Sequence, residues 1–394
     1  MALNNRELPF KVPSYSLTGD ILSFQQCALQ YRYYNGSSLP PSRPVQLWTG
    51  EFAHGVLEEA YRHWKINQPA FPWPCNQTPW PPPWTGPPRP SHDIGVLGDL
   101  VEARLTARGK NPRSSDARDF AYRRVEAAIN MLAPHLFPLI TSAERRISGT
   151  RPIPGGPNAM RGGGDRFELT GVVDVISSVT ATANPANPLV QAIQQVTALV
   201  PAPFEVIVDY KAARRPSIQE PKWQQHEWQV QTYAWLCSQV PGAQPVGAGL
   251  LIYINELVPS RTDLEELRRE IVNNETDMRP SNGSSDYYAL HRWKPVAGGQ
   301  FPTFSQQFLL ARSIRVVDVS GSPVQRALSQ IEHVVNQIEG SAINENTTGN
   351  IPQNWDASGD DRDCVACDFR HFCPNPFHRR NAVGVPISPP IAPG

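Results

Sequence analysis

The chain has 394 residues, of which 40% are hydrophobic and 18% are charged, so it is long enough to bury a large core and cannot be disordered throughout. Its formal net charge is zero, which excludes a general electrostatic attraction to nucleic acid and leaves only local basic patches for that purpose. Proline, with 41 residues, is about twice as frequent as its usual share of roughly 5%, so long irregular stretches are expected.

The sequence also carries information about the cellular compartment. No stretch of about 18 apolar residues occurs, and the opening residues MALNNRELPF lack the basic and apolar regions of a secretory signal. We therefore expect a cytoplasmic protein without a membrane span. In that compartment clustered cysteines favour a metal site or catalysis over a disulfide framework. Candidate basic patches are the arginine pairs at 123–124, 145–146, 214–215 and 379–380.

In the first part of the chain, the hydrophobic pattern predicts helices that are separated by a proline-rich insertion. Apolar residues at helical spacing predict helices around 20–31 and 50–64, and His54 lies on the edge of the second stripe. Residues 69–90 hold ten prolines and three tryptophans and are predicted to be extended, covering apolar surface or serving as a lid, a docking strip or a base-stacking surface. Helical character resumes over about 95–140.

In the second part, strands and helices are predicted around two further irregular stretches. Gly/Pro and Ala/Pro content predicts these stretches at 150–164 and 180–203. The remaining predicted elements, in chain order, are the strands FELTGVVDVISS and FEVIVDYKA, a helix over 223–237, the strand GAGLLIYINE, and helices over 260–275 and 321–340.

Asp209 and Lys211 follow a hydrophobic run near the end of the strand FEVIVDYKA. Because side chains alternate along a strand, both are expected on one face. This pair suits phosphodiester hydrolysis, since the carboxylate holds Mg²⁺ or Mn²⁺ while the ammonium orients water or stabilises the transition state. The Tyr210 carbonyl offers a further oxygen ligand. An ordinary surface ion pair is the alternative interpretation.

Asp174, in the GVVDV segment, supplies a second carboxylate after a β-branched run. Adjacent antiparallel strands joined by a long loop would bring Asp174 close to Asp209. A hard divalent cation prefers several oxygen ligands, so this second acid favours the metal-site interpretation.

Cys364, Cys367 and Cys373 form a C-x2-C-x5-C cluster near the C-terminus. Three thiolates within ten residues indicate a metal or cluster site, and soft thiolates fit either a [4Fe–4S] cluster or Zn²⁺. His371 and His378 are nearby alternative ligands that keep zinc open.

The order of these landmarks resembles the RecB-like nucleases of the PD-(D/E)XK superfamily. The resembling branch has four cysteines and includes the CRISPR-associated RecB-like exonucleases, the AddB nuclease domain and the exonuclease V-like proteins. It has an early cysteine, a G-x-x-x-H helix, a G-x-x-D strand, a D/E-x-K strand, a Q-x-x-x-Y helix and three late cysteines. Between Ser16 and Pro374 the chain has, in the same order, Cys27, Gly50 and His54, Gly171 and Asp174, Asp209 and Lys211, Gln229 and Tyr233, and Cys364, Cys367 and Cys373.

The resemblance implies an α/β fold with a restriction-endonuclease-like core, in which helices flank a mixed central sheet. The nuclease domain would span 14–378, with insertions at about 69–90, 150–164 and 180–203. The proline-rich tail at 379–394 is predicted to be disordered.

The resemblance also implies the roles of the site residues. The implied metal ligands are His54, Asp174, Asp209 and the carbonyl of Tyr210, and the implied catalytic residues are Asp174, Asp209, Lys211, Gln229 and Tyr233. The loop between the two aspartates is longer than the family pattern leads us to expect. Glu144, in SAERRI, matches an acidic position that often precedes the first acidic strand.

Gln229 and Tyr233 lie one helical turn apart and would position the lysine or the DNA. Simple helix packing by Tyr233 with a solvated Gln229 is the alternative interpretation. Gln225 extends the same face, so the register of this motif is also open to a shift of one turn.

For the cysteines, the resemblance supplies Cys27 as the fourth ligand. A structural [4Fe–4S] cluster, implied in preference to zinc, would then join the two ends of the chain. Cys75 and Cys237 fall outside the pattern and are expected to be unligated.

The implied function is a metal-dependent DNA nuclease, an exonuclease on single-stranded or free-ended DNA that uses Mg²⁺ or Mn²⁺. Its setting would be CRISPR adaptation or DNA repair, with a helicase or a CRISPR-adaptation protein as a partner chain. The sequence has no G-x-x-x-x-G-K-[ST] motif, so a motor would be a separate chain. The alternative is a non-cleaving nucleic-acid-binding or adaptor module with a structural iron–sulfur or zinc site.

Overall fold

The fold is described from a computed structural model. The structure describes residues 12–35, 46–77, 88–153, 164–180, 184–197, 203–296, 299–357, 364, 367–370 and 373–374. The predicted tail at 379–394, the histidines at 371 and 378, and the arginine pair at 379–380 lie outside the described residues, as does most of the predicted insertion at 150–164.

One mixed sheet organises the molecule, with helices packed on both of its faces. Its strands are β1 (Ser14–Ser16), β2 (Ile140–Pro152), β3 (Arg166–Val179), β4 (Phe204–Lys211), β5 (Val246–Tyr253) and β6 (Ile314–Val317). The helices are α1 (Ser23–Gln26), α2 (Ala28–Tyr34), α3 (Gln46–Asn67), α4 (Ile94–Ala107), α5 (Ser115–Ala127), α6 (Ala133–Leu136), α7 (Pro188–Val196), α8 (Pro221–Ser238), α9 (Arg261–Asn273), α10 (Ser285–Arg292), α11 (Gln306–Ser313), α12 (Gly321–Thr348) and α13 (Ile351–Asn354).

The sheet order is β1-β3-β4-β5-β6, with β2 also paired to β3. Strands β3 and β4 are antiparallel, with Val175 opposite Val208, whereas β4 and β5 are parallel. The predicted α/β class, with a mixed central sheet flanked by helices, is therefore confirmed.

Alternation along β4 divides the core into two layers. Val206 and Val208 pack with α3 to α7 on one face, and Ile207 packs with α2, α8 and α12 on the other. Each of these side chains is almost fully buried, and such burial contributes about 1.5–3 kcal/mol per residue. Asp209 and Lys211 have the same parity as Ile207, so the strand period directs them towards α8.

Two predicted segments differ in the structure. The stretch at 180–203 was predicted to be irregular, but it contains α7, whose leucine, valine and isoleucine at 189, 190 and 193 are buried in the core. Asn187 caps that helix through a bond from Leu189 N–H, so a local cap and an apolar face outweigh the surrounding Ala/Pro composition. The first predicted helix is interrupted at Cys27, whose backbone is extended between α1 and α2.

The described part of the proline-rich insertion has an irregular backbone. Residues 69–77 and 88–90 form neither helix nor strand, as predicted for them, and residues 78–87 lie outside the described part.

No helix within the described ranges combines the length and the apolar character that crossing a membrane requires.

Candidate active site

The two aspartates predicted from the strands meet where β3 and β4 pair. Because Val175 lies opposite Val208 in this antiparallel pair, Asp174 and Asp209 are the next residues towards the end of the ladder. The backbone N–H of Tyr210 donates a 2.9 Å hydrogen bond to Asp174 Oδ2. The long connection between the strands does not displace them, so the doubt raised by its length is removed.

Lys211 lies at the end of a short chain of polar contacts from helix α8. Its Nζ is 2.6 Å from Asp209 Oδ2 and donates a 2.7 Å hydrogen bond to Gln229 Oε1. Gln229 Nε2 in turn donates to Tyr233 Oη at 3.1 Å. Gln229 is therefore not a solvated residue, and it fixes the position of the ammonium.

Tyr233 has a packing role that explains the glycine of the G-x-x-D segment. A Cβ atom at Gly171 would lie 2.7 Å from Tyr233 Cε1, so a side chain there would push the tyrosine ring away. Tyr233 is buried, and through Gln229 it acts on Lys211 without touching it. At Gly50 a Cβ would meet no atom of the described residues within 4 Å outside its own helix, so packing among those residues does not explain that glycine.

His54 approaches the strand ends from helix α3. Its Nε2 lies 2.9 Å from the carbonyl oxygen of Tyr210, and its Nδ1 lies 3.4 Å from Asp174 Oδ2. Burial lowers the pKa of His54, but the carboxylates of Asp174 and Asp209 outweigh burial and raise that pKa to about 9. The predicted convergence of a helix imidazole with the strand carboxylates is thus present in the geometry.

Glu144 joins this group from strand β2. The pairs Ala143–Val175 and Arg145–Val173 place Glu144 opposite Asp174, and its backbone has φ of +50°, in the left-handed region. Strain of this kind in a residue other than glycine concentrates at functional sites. The sequence alone supported Glu144 as a site residue only weakly, through the match of SAERRI to an acidic position of the family pattern.

The donor atoms form a group suited to a hard divalent cation. One ligand atom each from His54, Glu144 and Asp174 lie within 4.8 Å of one another. Asp209 is not part of this closest group, because its carboxylate contacts the ammonium of Lys211. Carboxylate oxygens, a carbonyl oxygen and an imidazole nitrogen fit Mg²⁺ or Mn²⁺.

Crowding of like charges is the main electrostatic feature of this group. Burial, Asp174 and Glu58 raise the pKa of Glu144 to about 7. Burial also raises the pKa of Asp209, despite the opposing effect of Lys211. The pKa of Asp174 is lowered, because His54 and the Tyr210 N–H stabilise its charge more than burial disfavours it. A bound cation would stabilise this site, because it would offset the repulsion between the crowded carboxylates.

Three of the four predicted cysteines, Cys27, Cys367 and Cys373, pack against the same hydrophobic cluster. Cys27 lies at the break between α1 and α2, where its Sγ accepts a hydrogen bond from Gln30 N–H at 3.5 Å. Burial raises the pKa of Cys367, and the nearby Cys27 and Cys373 raise it further. The backbone N–H of Cys367 donates to the carbonyl of Cys364 at 3.2 Å. Cysteines from both ends of the chain are therefore neighbours.

Protein contacts hold the two ends together beside these cysteines. Leu29 N–H donates to the Asp356 carbonyl at 2.9 Å, and Tyr34 Oη donates to Asp368 Oδ2 at 3.0 Å. The ring of Phe369 lies 4.9 Å from that of Tyr33, centroid to centroid. By contrast, Cys75 and Cys237 pack against hydrophobic clusters, and burial raises the pKa of each to about 12.

Two of the proposed basic patches are engaged within the protein. Arg215 is 4% exposed and forms a two-bond contact with Asp277, while Arg214 pairs with Glu220 and Glu270. Arg124 donates to Asp263 at 2.9 Å. The arginine pair at 214–215 was a candidate for phosphate contacts, and in the structure both guanidinium groups pair with carboxylates of the protein instead.

Comparison with known proteins adds one finding. No curated protein matches the chain. The sequence model described as the PD-(D/E)XK nuclease superfamily matches residues 204–374, which include β4 and α8 but neither His54 nor Asp174. Members of this superfamily are nucleases that act on phosphodiesters and generally use Mg²⁺ or Mn²⁺. Residues 204–374 thus carry a PD-(D/E)XK nuclease superfamily domain.

Proposed function

We propose that this protein is a metal-dependent nuclease, an exonuclease that acts on single-stranded or free-ended DNA. The observation that carries the proposal is the meeting of His54, Asp174 and Asp209 at the end of β4, with Lys211 held beside them. The superfamily match supports hydrolysis of phosphodiesters, and the exonuclease character follows from the RecB-like resemblance.

The residues of the site have distinct roles in this proposal. His54, Asp174, Asp209 and the carbonyl of Tyr210 would hold a divalent cation, with Glu144 as an additional ligand. A bound Mg²⁺ or Mn²⁺ supplies Lewis-acid activation of the scissile phosphate and neutralises developing charge.

Lys211 provides the positive charge on the protein side. Its ammonium, held between Asp209 and Gln229, is placed to orient the attacking water or to stabilise negative charge on phosphorus-bound oxygens. Gln229 and Tyr233 are positioning residues, because they act through Lys211.

A gel assay on end-labelled single strands tests this proposal. We expect Mn²⁺-dependent cleavage that EDTA abolishes, and a loss of at least about 100-fold in Asp209→Ala and Lys211→Ala, which remove a metal ligand and the charge-stabilising group. Lys294→Ala, at an exposed position, is the matched control. Full cleavage by either site variant contradicts the assignment.

The same assay separates the finer proposals. A circular single strand should resist cleavage if a free end is required, whereas nicking of circles would show an endonuclease. Binding without cleavage by the wild-type protein would instead support the non-cleaving adaptor module.

We also propose a structural iron–sulfur cluster on Cys27, Cys364, Cys367 and Cys373. The nearness of Cys27 to Cys367 and Cys373 supports a shared site, and the contacts between the two chain ends support a structural role. Closing so long a loop would contribute several kcal/mol, by analogy with disulfides. Anaerobically purified protein should be brown with absorbance near about 400 nm, whereas colourless protein with one equivalent of zinc would decide for zinc.

The cellular setting is part of the same proposal. A cytoplasmic nuclease with a free-end preference fits CRISPR adaptation or DNA repair, acting with a helicase or adaptation protein. Co-purification of the intact chain with such a partner from its native host tests this setting, and the presence or absence of neighbouring adaptation genes distinguishes the two.

A further inference from the structure

Two neighbouring cavities lie on the α8 side of the sheet, and the smaller one is lined by Lys211. A cleft of about 250 Å³ has Lys211, Gln225 and Gln229 in its wall. Gln26 and Gln225 also line a larger groove of about 1290 Å³, so the two cavities share a wall. The larger one, which we name the amide groove, runs between α1, the first half of α8 and the middle of α12.

Glutamine dominates the polar lining of the amide groove. The glutamines are Gln25, Gln26, Gln224, Gln225, Gln330 and Gln337. Among the described residues that line this groove, Lys222 and Asp356 carry opposite charges, and His333 is the remaining titratable side chain apart from Cys27. Each carboxamide offers both donors and an acceptor, which suits ligands with mixed hydrogen-bonding edges.

Two of these glutamines lie on the same face of α12 and form one wall of the groove. Gln330, His333 and Gln337 are exposed and lie at steps of three and four along α12, on one face of that helix. Trp228 and Val334 are buried at the floor, and the Trp228 indole N–H already donates to the Ala327 carbonyl at 2.6 Å. The floor therefore offers apolar surface, and the walls offer amides.

These features distinguish between ligand classes. The volume exceeds the roughly 300–1,000 Å³ of ordinary small-molecule pockets, which favours a chain segment. A duplex has its base edges occupied by pairing and is held mainly through phosphate contacts with cations. An unpaired strand displays its base edges, which amides can bind.

We infer that the amide groove binds the unpaired nucleic-acid strand whose scissile phosphate lies at Lys211, through hydrogen bonds from glutamine amides to base edges. This inference rests on the proposed nuclease function and adds the path and the mode of recognition of the substrate.

Binding in EDTA tests the inference independently of cleavage. Fluorescence anisotropy would measure the Kd of a labelled mixed-sequence 20-nucleotide single strand for the full chain. Gln225→Ala/Gln330→Ala should weaken binding about tenfold, since each lost neutral hydrogen bond contributes modestly. Gln306→Ala/Gln307→Ala, at exposed positions on α11, is the matched control and should bind as the wild type does.

Two further measurements keep the test decisive. A blunt duplex of the same sequence should bind at least tenfold more weakly than the single strand. A strand that carries 5-iodouracil should photo-cross-link to peptides from α8 and α12, which maps the path even if the double variant folds poorly.

The outcomes separate this inference from the proposed function. Unchanged Kd in the groove variant, equal affinity for the duplex, or cross-links confined to other elements would overturn the inference while leaving cleavage by the wild type intact. Weakened strand binding by the groove variant, in a protein that shows no Mn²⁺-dependent cleavage, would uphold the groove and overturn the nuclease proposal.

Discussion

Two regions of this protein collect buried charge, and they do so in different ways. The first is the arginine cluster, which consists of Arg215, Arg312 and Arg315 with Glu256, Glu270 and Asp277. The second is the strand-end site of His54, Glu144, Asp174, Asp209 and Lys211. Both contain buried carboxylates, Glu256 and Glu270 in the first and Asp209 in the second, so burial alone does not distinguish a structural cluster from a catalytic one.

The difference lies in how completely the charges are paired. Asp277 accepts four hydrogen bonds of 2.6–2.8 Å from two guanidinium groups, which lower its pKa despite partial burial. Glu144 instead faces Asp174 and Glu58, and its pKa is raised to about 7. Fully paired charges stabilise one structure, whereas crowded like charges keep an affinity for a cation that the protein itself does not supply.

The largest expected effect is on stability, from breaking the arginine cluster. Arg312 is 2% exposed and contacts both Glu256 and Glu270, so Arg312→Met removes the guanidinium partner of buried Glu256 and leaves buried Glu270 with Arg214 alone. We expect a loss of about 3–5 kcal/mol in the free energy of unfolding, measured with urea. Arg269→Met removes an exposed pair with Glu266 and should change it by less than about 1 kcal/mol. Equal losses in the two variants would remove the distinction between the regions.

The second expected effect is on activity, from the strand-end site. Asp174→Asn should lower Mn²⁺-dependent cleavage by at least about 100-fold, because a cation ligand is worth several kcal/mol in the transition state. Its unfolding free energy should fall by only about 1 kcal/mol, since asparagine still accepts from Tyr210 N–H. Asp165→Asn, at an exposed residue just before the start of β3, is the control. A stability loss as large as that of Arg312→Met would assign Asp174 a structural role.

The smallest expected effect is a pH dependence of stability in EDTA. The pKa of Glu144 in the folded protein, about 7, lies above its ordinary value of 4.5, so the folded state keeps a proton that the unfolded state has lost. The free energy of unfolding should therefore fall as pH rises from 4.5 through 7. In Glu144→Gln, which has no carboxyl at this position, this part of the pH dependence should be absent. Chemical unfolding at pH 5.5 and pH 8 measures the difference between the two proteins. A difference that shrinks towards pH 8 would contradict the crowding of charges.

The strands that carry the predicted site could be predicted from the sequence because their hydrophobic patterns are strong. Strand alternation placed Asp209 and Lys211 on one face, and the run of apolar residues in β4 explains why that strand is buried on both sides. Antiparallel pairing then brought Asp174 next to Asp209. These inferences need only local periodicity and the rule that neighbouring strands pair.

Other features depend on tertiary contacts and could not be predicted from local sequence patterns. Strand β2 has many polar and charged residues, so it was not recognised, and with it the position of Glu144 opposite Asp174 was missed. Strand β6 has only four residues. The burial of Arg215 depends on carboxylates from distant elements, which no local pattern shows.

The central claim is that a single divalent ion binds where helix α3 meets the ends of β3 and β4. Anomalous diffraction from crystals soaked in Mn²⁺ would locate that ion directly. We expect a peak in contact with His54, Asp174, Asp209 and the carbonyl of Tyr210, with the ammonium of Lys211 beside it. A peak bound elsewhere, or none at this position at saturating Mn²⁺, would contradict the account.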